Sequence, residues 1–547
     1  MRTALRTAAH DPAPGRAHRV QPAAAARRRL RALACWLLAC TAALLLAGCA
    51  GLPQRPAQPA SQHRVAPDDA ALSRLLAEAG VPAGRSGFRP LLLSGSALRA
   101  RLALIERAEL GIDIQTYLLG NDATGHQLMR ALRDAAARGV RVRLLVDDLY
   151  TVGATDVLLG LAAHANVELR LYNPFPAGRD SVLLRAGGLL GDFQRLNRRM
   201  HNKLFVADGR IAIVGGRNLA DAYFMRSDEG NFIDFDLLCG GAVAAELNGH
   251  FDRFWNSGFA VPIEALADNG LSAERRRASF DVLTRPATAP RPLPPAPAAL
   301  YGVPLATPPD PLLPRPAWTL AEADVFFDSP DKTAGVLPPG DRLPVAGLLG
   351  GARSHVVVVS PYFLPSEAGL ERIRQARERG VAVQVLTNSL RDSDEPLVSV
   401  AYGRRRLALL QSGVRLFELS SQRLRREPSL GRALGASIGR LHAKLGFIDD
   451  RTLLVGSMNL DPRSANTNTE LALAVHSAAL TREVLAMLVP ERGLGAYEVR
   501  LRADGQSMEW VARDSDGDER LPEEPAPPWW QRLQLWLLSL LVPDDLL

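Results

Sequence analysis

The chain is short of cysteine, of net charge and of metal-ligand clusters. It has four cysteines in 547 residues, and Cys35, Cys40 and Cys49 all fall near the start. Only Cys239 lies in the body of the chain, so no intramolecular disulfide is available there, even in an oxidising compartment. Its apolar setting, Phe235–Cys239, predicts a buried small hydrophobe. No Cys/His cluster has zinc-ligand spacing, and neither a metal nor a cofactor is expected. The formal charge of +7 is misleading. Residues 1–48 hold eight arginines and one acid, Asp11, and account for all of it. The remainder is near neutral, which argues against a nucleic-acid binder, because such domains are usually basic.

Long apolar runs are also scarce. One spans Leu33 to Ala47, behind Arg27-Arg28-Arg29 and Arg31, and reads as a secretory signal. It closes on Leu46-Ala47-Gly48-Cys49, which resembles a bacterial lipobox. That resemblance implies lipidation of Cys49 and a mature chain facing the periplasm. Ala50 follows where Asp would hold a lipoprotein at the inner membrane, so the outer membrane is expected. An uncleaved anchor is the alternative, since the uncharged stretch reaches Gly51.

What is abundant is repetition. His201-x-Lys203, Asp208 and Gly215-Gly216-Arg217-Asn218 recur at the same spacing as His442-x-Lys444, Asp449 and Gly456-Ser457-Met458-Asn459. The duplication is wider than these motifs. Residues 112–148 and 355–389 each read as strand, loop after a tyrosine (Tyr117 or Tyr362), amphipathic helix, Gly turn and strand. The expected fold class is α/β, with two homologous halves, each a mostly parallel or mixed sheet flanked by helices. The expected order is a signal (1–48), a tether (49–86), a first half (87–285), a Pro-rich linker (286–320), a second half (321–500) and a tail (501–547). The tail ends in a Trp/Leu helix, Trp529 to Leu541, too short to span a bilayer. It suits either a membrane interface or docking on the protein's own core.

The repeated residues suit phosphodiester chemistry. Two lysines neutralise phosphoryl oxygens, and two asparagines donate further hydrogen bonds. One neutral imidazole attacks phosphorus while the other, protonated, serves the leaving oxygen. Each copy carries one histidine, so the copies must meet. Gly215 and Gly216, like Gly456 beside Ser457, allow close backbone approach. A carboxylate should fix each imidazole's tautomer. Glu470 is expected on His442 and Asp234 on His201, with Glu229 as runner-up. Asp208 and Asp449 belong to the repeated kit, yet each sits at a turn, where Asp is a turn former. Tyr117 and Tyr362 are candidates to line the cleft, Arg198 and Arg199 to steer an anionic headgroup, and Ser437 with the Gly-rich run before His442 to flank the entrance.

The doubled H-x-K-x4-D-x6-G-[GS]-x-N pattern resembles the phospholipase D superfamily over roughly residues 87–500. His201, Lys203 and Asn218 match its first motif, and His442, Lys444, Ser457 and Asn459 its second. Gly216 departs from it, because Ser is common there. Asn197–Lys203, Val214–Asn218 with Tyr223-Phe224, and Asn459–Ser464 resemble bacterial cardiolipin synthases, most of all those using phosphatidylethanolamine with phosphatidylglycerol. The resemblance implies two halves sharing one active site, phosphatidyl transfer at a membrane through a phosphohistidine, and phospholipids as partners. It also implies His201 as nucleophile and His442 as acid and base. Hydrolysis to phosphatidic acid and nuclease activity are the alternatives.

Overall fold

The computed structural model describes residues 59–540, apart from 177, 287–291, 294–298, 301–302, 305–311, 313–317, 337–346, 348–349, 427–436, 489–494, 515–516 and 526–527. The signal, Cys49, the first part of the tether, most of the Pro-rich linker and the Gly-rich run before His442 lie outside the described residues.

The duplication is visible strand by strand. In the first half, β1 (Ser86–Leu91), β2 (Gly111–Thr116), β3 (Arg141–Asp147) and β4 (Val167–Tyr172) precede a hairpin of β5 (Leu204–Ala207) and β6 (Ile211–Gly215). A short β7 (Gly230–Ile233), then β8 (Asp236–Gly241) and β9 (Ala260–Pro262), complete it. A small ribbon, β10 (Ala299–Leu300) with β11 (Val303–Pro304), stands apart in the linker. The second half runs through β12 (Thr319–Phe327), β13 (His355–Val359), β14 (Ala382–Asn388), β15 (Arg415–Leu419), β16 (Ile438–Leu441), β17 (Leu445–Ile448), β18 (Thr452–Gly456) and β19 (Leu471–His476). At its edge lie β20 (Ala496–Leu501), β21 (Met508–Asp514) and β22 (Gly517–Leu521).

Strands β2, β3 and β4 pair in parallel, as do β13, β14 and β15. The helices Ala123–Ala137 and Glu367–Glu378 supply the first crossovers. Each has a side-chain N-cap, Asp122 or Ser366, accepting a backbone N–H at 2.9 and 3.2 Å. Each is followed by a left-handed glycine, Gly139 (φ 97°) or Gly380 (φ 84°). Their buried faces, such as Leu128, Leu132 and Leu370, cover the sheet.

Among the described residues, the remaining strand pairings of the large sheet are antiparallel, so that sheet is mixed, with its parallel ladders confined to three strands per half. The reason lies in the turns. Three residues join β5 to β6 and β17 to β18, and a connection that short joins antiparallel neighbours only. β1 and β12 pair at Ser86–Phe88, making one continuous 18-stranded sheet.

The halves also share a core. Val206, Val214 and Leu237 pack in one cluster with Phe447, Val455 and Leu473. Each such side chain contributes about 1.5–3 kcal/mol on burial, so the halves hold together along the face that carries the site. Cys239 is fully buried in this cluster, as its sequence context implied.

Candidate active site

His201 and Lys203 occupy the extended lead-in to β5, and His442 and Lys444 the lead-in to β17. Two short parallel seams bring these segments across the interface between the halves. At one seam the His201 N–H donates to the Thr469 carbonyl, and the Thr469 N–H to that of Arg199, both at 2.9 Å. At the other, β7 pairs with β16, and the His442 N–H donates to the Ile233 carbonyl at 2.8 Å. Each seam sets one half's histidine beside the other half's carboxylate.

The carboxylates are therefore exchanged relative to the sequence expectation. Glu470 holds His201, its oxygens 3.0 and 3.1 Å from Nδ1. Asp234 holds His442, with Oδ2 2.7 Å from Nδ1. The partners are reversed, because sequence order gives a strand's position but not which half it faces. Asp234 and Glu470 are equivalent, since Asp236 pairs with Gly215 as Ala472 does with Gly456. Glu229, the runner-up, lies exposed in a turn.

One linked pair of residues distinguishes how the two half-sites hold their carboxylates. The Ser457 hydroxyl donates to Glu470 and accepts from the Leu471 N–H at 3.1 Å. In the first half, a Cβ at Gly216 would lie 2.2 Å from Asp234 Oδ1. The shorter carboxylate thus occupies the volume that a side chain at 216 would need.

Glu470 sits in a closed ring of contacts that sequence reading missed. The Ser464 hydroxyl donates to it at 2.8 Å, and its own N–H donates to Asp328 at 3.0 Å. Lys332 Nζ reaches Asp328 at 2.8 Å and the Ser464 carbonyl at 2.9 Å, which closes the ring. A signal for it was present. Of 65 basic residues only Lys203, Lys332 and Lys444 are lysines, and all three are buried here.

Burial controls the electrostatics. It draws His201 down to about 4, against the opposing pull of Glu470. It lowers His442 as well, helped by Lys444 and opposed by Asp234. Burial would raise Asp234, but His442, Lys444 and Arg217 together hold it at about 2. Lys203 falls to about 7 and Lys444 to about 8, with burial the leading cause in each. Lys444 acts on both His201 and Lys203, so the two kits share one field. Each ammonium donates to its own histidine's carbonyl, at 2.8 Å for Lys203 and 2.7 Å for Lys444.

A pH dependence follows from the lysines. Substrate-free protein loses positive charge as pH rises through the range 7 to 8, while a bound phosphate anion favours the charged lysines. The expected result is a kcat/KM that declines above about pH 8 while kcat declines less, since kcat reports the complex. Parallel profiles of both constants check this, and a flat kcat/KM across that range contradicts it.

Tyr117 and Tyr362 line the site. The Tyr117 ring meets the His201 ring edge-on at 4.9 Å, and Lys203 Nζ lies 5.3 Å from it. Lys444 Nζ lies 5.8 Å from the Tyr362 ring. Asn218 Nδ2 donates to the Tyr223 hydroxyl at 2.7 Å, and Tyr223 packs edge-on to His442 at 5.1 Å. The Oδ1 atoms of Asn218 and Asn459 are buried without hydrogen-bond partners among the described residues.

Asp208 and Asp449 are structural here, against their place in the repeated catalytic kit. Asp208 accepts backbone N–H bonds from Glu109, Leu110 and Gly111 at 2.9, 2.7 and 3.0 Å. Asp449 does the same for residues 353–355. Asp208→Ala should cost about 1–3 kcal/mol of stability, read by thermal melting, and keep the turnover of each folded molecule. Lost turnover with an unchanged melt would contradict this. Arg199 is fully buried and ion-paired to Asp147 at 2.7 Å, so it anchors the His201 segment and does not face solvent. Ser437 is buried too, accepting from Asn231 at 2.8 Å, and does not flank an entrance.

Comparison with known proteins agrees with this geometry. Residues 102–255 and 345–488 match the family described as "Cardiolipin synthase, PLD-like domain". The chain is 36% identical over 473 residues to cardiolipin synthase C of Escherichia coli (strain K12), covering 85% of this chain and 97% of that one. It is 26% identical over 374 residues to cardiolipin synthase B of Salmonella typhi, covering 68% and 72%. The crystal structure of phosphatidylserine synthase from Haemophilus influenzae superposes with a TM-score of 0.52 at 13% identity. It covers 87% of this chain and all of that one, and shares the fold. Both halves match the family model and one relative matches along nearly its whole length, so this chain belongs to the cardiolipin synthase family of phospholipase D-like proteins.

Proposed function

We propose that this protein is a phosphatidyltransferase that makes cardiolipin from phosphatidylglycerol and a second phospholipid, through a phosphohistidine. The observation that carries this is the crosswise pair of carboxylate-held imidazoles, each beside a buried lysine. An Nδ1–H donated to a carboxylate leaves Nε2 free for chemistry. His201 Nε2 attacks phosphorus, an N–P bond forms and the headgroup oxygen leaves with a proton from His442. The acceptor hydroxyl then returns a proton to His442 and attacks phosphorus, and the N–P bond breaks. Lys203 and Lys444 stabilise the phosphoryl oxygens, and Asn218 and Asn459 supply further amide donors, Asn218 in addition to its bond to Tyr223. The short Asp234 contact opposes the burial that lowers His442, which favours His442 as the group that takes up and gives the proton.

Lipid product analysis tests the reading. In micelles of phosphatidylethanolamine and phosphatidylglycerol, cardiolipin should form with the intact protein and not with His201→Asn. Phosphatidic acid instead would make water the acceptor, and no lipid turnover would favour a nuclease.

The enzyme acts at a membrane surface in this proposal, as a Cys49-anchored lipoprotein facing the periplasm, at the outer membrane. The sequence Leu46–Cys49 followed by Ala50 supports the anchor. Density-gradient fractionation tests the address, and recovery with inner membranes would refute it. Among the described residues, no helix is long and apolar enough to cross a membrane. The C-terminal helix, Trp529–Ser539, rests on helix Pro396–Gln411 and buries Leu535 and Ser539. It leaves Trp529 75% and Trp536 54% exposed, which suits indoles settling at headgroup level. Helix Val182–Gly191 exposes Leu183 and Leu190 in the same manner. Replacing Trp530 and Trp536 together by Ala should weaken vesicle binding about tenfold and spare turnover of a dispersed short-chain lipid. Unchanged vesicle binding would contradict it.

A further inference from the structure

We propose that Asp394 determines headgroup specificity, by receiving the protonated amine of a zwitterionic phospholipid while the lysines hold its phosphate. The inference rests on the phosphatidyltransferase reading and names the group that selects the second lipid.

Asp394 follows β14 on the site's edge, and its surroundings are aromatic. Its Oδ2 accepts the Tyr362 hydroxyl at 2.7 Å. Its charge acts on Tyr223 and Tyr150, and on His442 and Lys444. Two of those tyrosines touch the catalytic groups directly. Tyr223 packs on His442, and Tyr362 lies beside Lys444. Tyr150 stacks edge-on with Tyr117 at 5.2 Å and is half exposed, so it marks the mouth. Glu395, next in sequence, adds negative charge near Tyr150.

One atom makes this more than an acidic neighbourhood. Asp394 Oδ1 is buried and has no hydrogen-bond partner among the described residues. A buried carboxylate oxygen without a donor is costly and uncommon. The buried acids Asp148 and Asp392, after the corresponding strands, are satisfied. Arg179 holds Asp148 through two bonds, at 2.7 and 3.0 Å. Ser389 and Ser421 saturate Asp392. Arg463, the neighbouring cation, donates to Asn197 at 2.9 Å. Among these acids Asp394 keeps an open acceptor, and the tyrosine rings beside it reach the catalytic groups. An ammonium group supplies the missing donor, and aromatic faces attract cations. A polyol headgroup gains the hydrogen bond but not the charge.

The experiment compares two reactions of full-length protein in micelles, one with phosphatidylethanolamine plus phosphatidylglycerol and one with phosphatidylglycerol alone. Asp394→Asn should lower the ratio of kcat/KM for the first over the second about tenfold or more, and Asp394→Glu should restore part of it. Wild type should also discriminate against N-acetylated phosphatidylethanolamine, which lacks the charge, and this holds as a test even if the variants fail to fold. An equal loss in both reactions overturns the inference and makes the pocket a general or polyol site. So does indifference of the wild type to acetylation. Absence of any phosphatidyl transfer by wild type would instead defeat the functional reading on which this rests.

Discussion

His201→Asn should abolish phosphatidyl transfer and the covalent intermediate together, with a loss of at least about 10³-fold. His442→Asn should also abolish turnover, yet still accumulate phosphohistidine from a lipid with an activated leaving group. The asymmetry follows from the roles. A good leaving group needs no acid to depart, but no leaving group replaces the nucleophile. His201 suits attack because burial holds it neutral, at about 4. Glu470, Ser457 and Ser464 fix its ring through a network and not through one contact. Acid-labile phosphate on the intact protein, measured after brief mixing with labelled lipid, reads both variants. Labelling of His201→Asn, with none of His442→Asn, would reverse the assignment.

Gly216→Ser should be nearly as damaging, although serine is common at this position in the wider superfamily. The new Cβ would sit 2.2 Å from Asp234 Oδ1, so Asp234 must move and His442 loses its 2.7 Å contact. Overpacking of this kind costs about 1–3 kcal/mol of stability, and loss of an oriented acid about 10²-fold in kcat. Backbone conformation is not the cause, because Gly216 is not among the positive-φ glycines. The second half shows the compensation, with Ser457 standing against the longer Glu470. Gly216→Ser combined with Asp234→Glu should therefore recover much of what the single change loses. Stopped-time assays on both proteins check this, and an uninjured single variant would contradict it.

Some of this was legible because the duplication acts as its own control. The spacing of His201, Lys203 and Asn218, repeated at His442, Lys444 and Asn459, needs no tertiary information to be recognised. The strand–helix–strand pattern also held, since hydrophobic periodicity and the capping residues Asp122 and Ser366 act locally. In the rest of the sheet three-residue turns impose antiparallel neighbours, which makes it the mixed sheet that the expected fold class allowed. Arg199 was a candidate to steer an anionic headgroup. Its partner Asp147 lies 52 positions away, and no periodicity reports a buried ion pair.

The sequence by itself determined the chemistry: two kits of imidazole, ammonium and amide, each incomplete alone, and two acids able to orient the imidazoles. The tertiary structure decided the pairing. Glu470 reaches His201 and Asp234 reaches His442 because the two seams cross between the halves. It also decided which charges are structural, Asp208 and Asp449 among them, and which acid was left open, Asp394. Side-chain identity is written along the chain. Which groups share a buried, low-dielectric volume depends on contacts between residues hundreds of positions apart, and those exist only once the halves have packed.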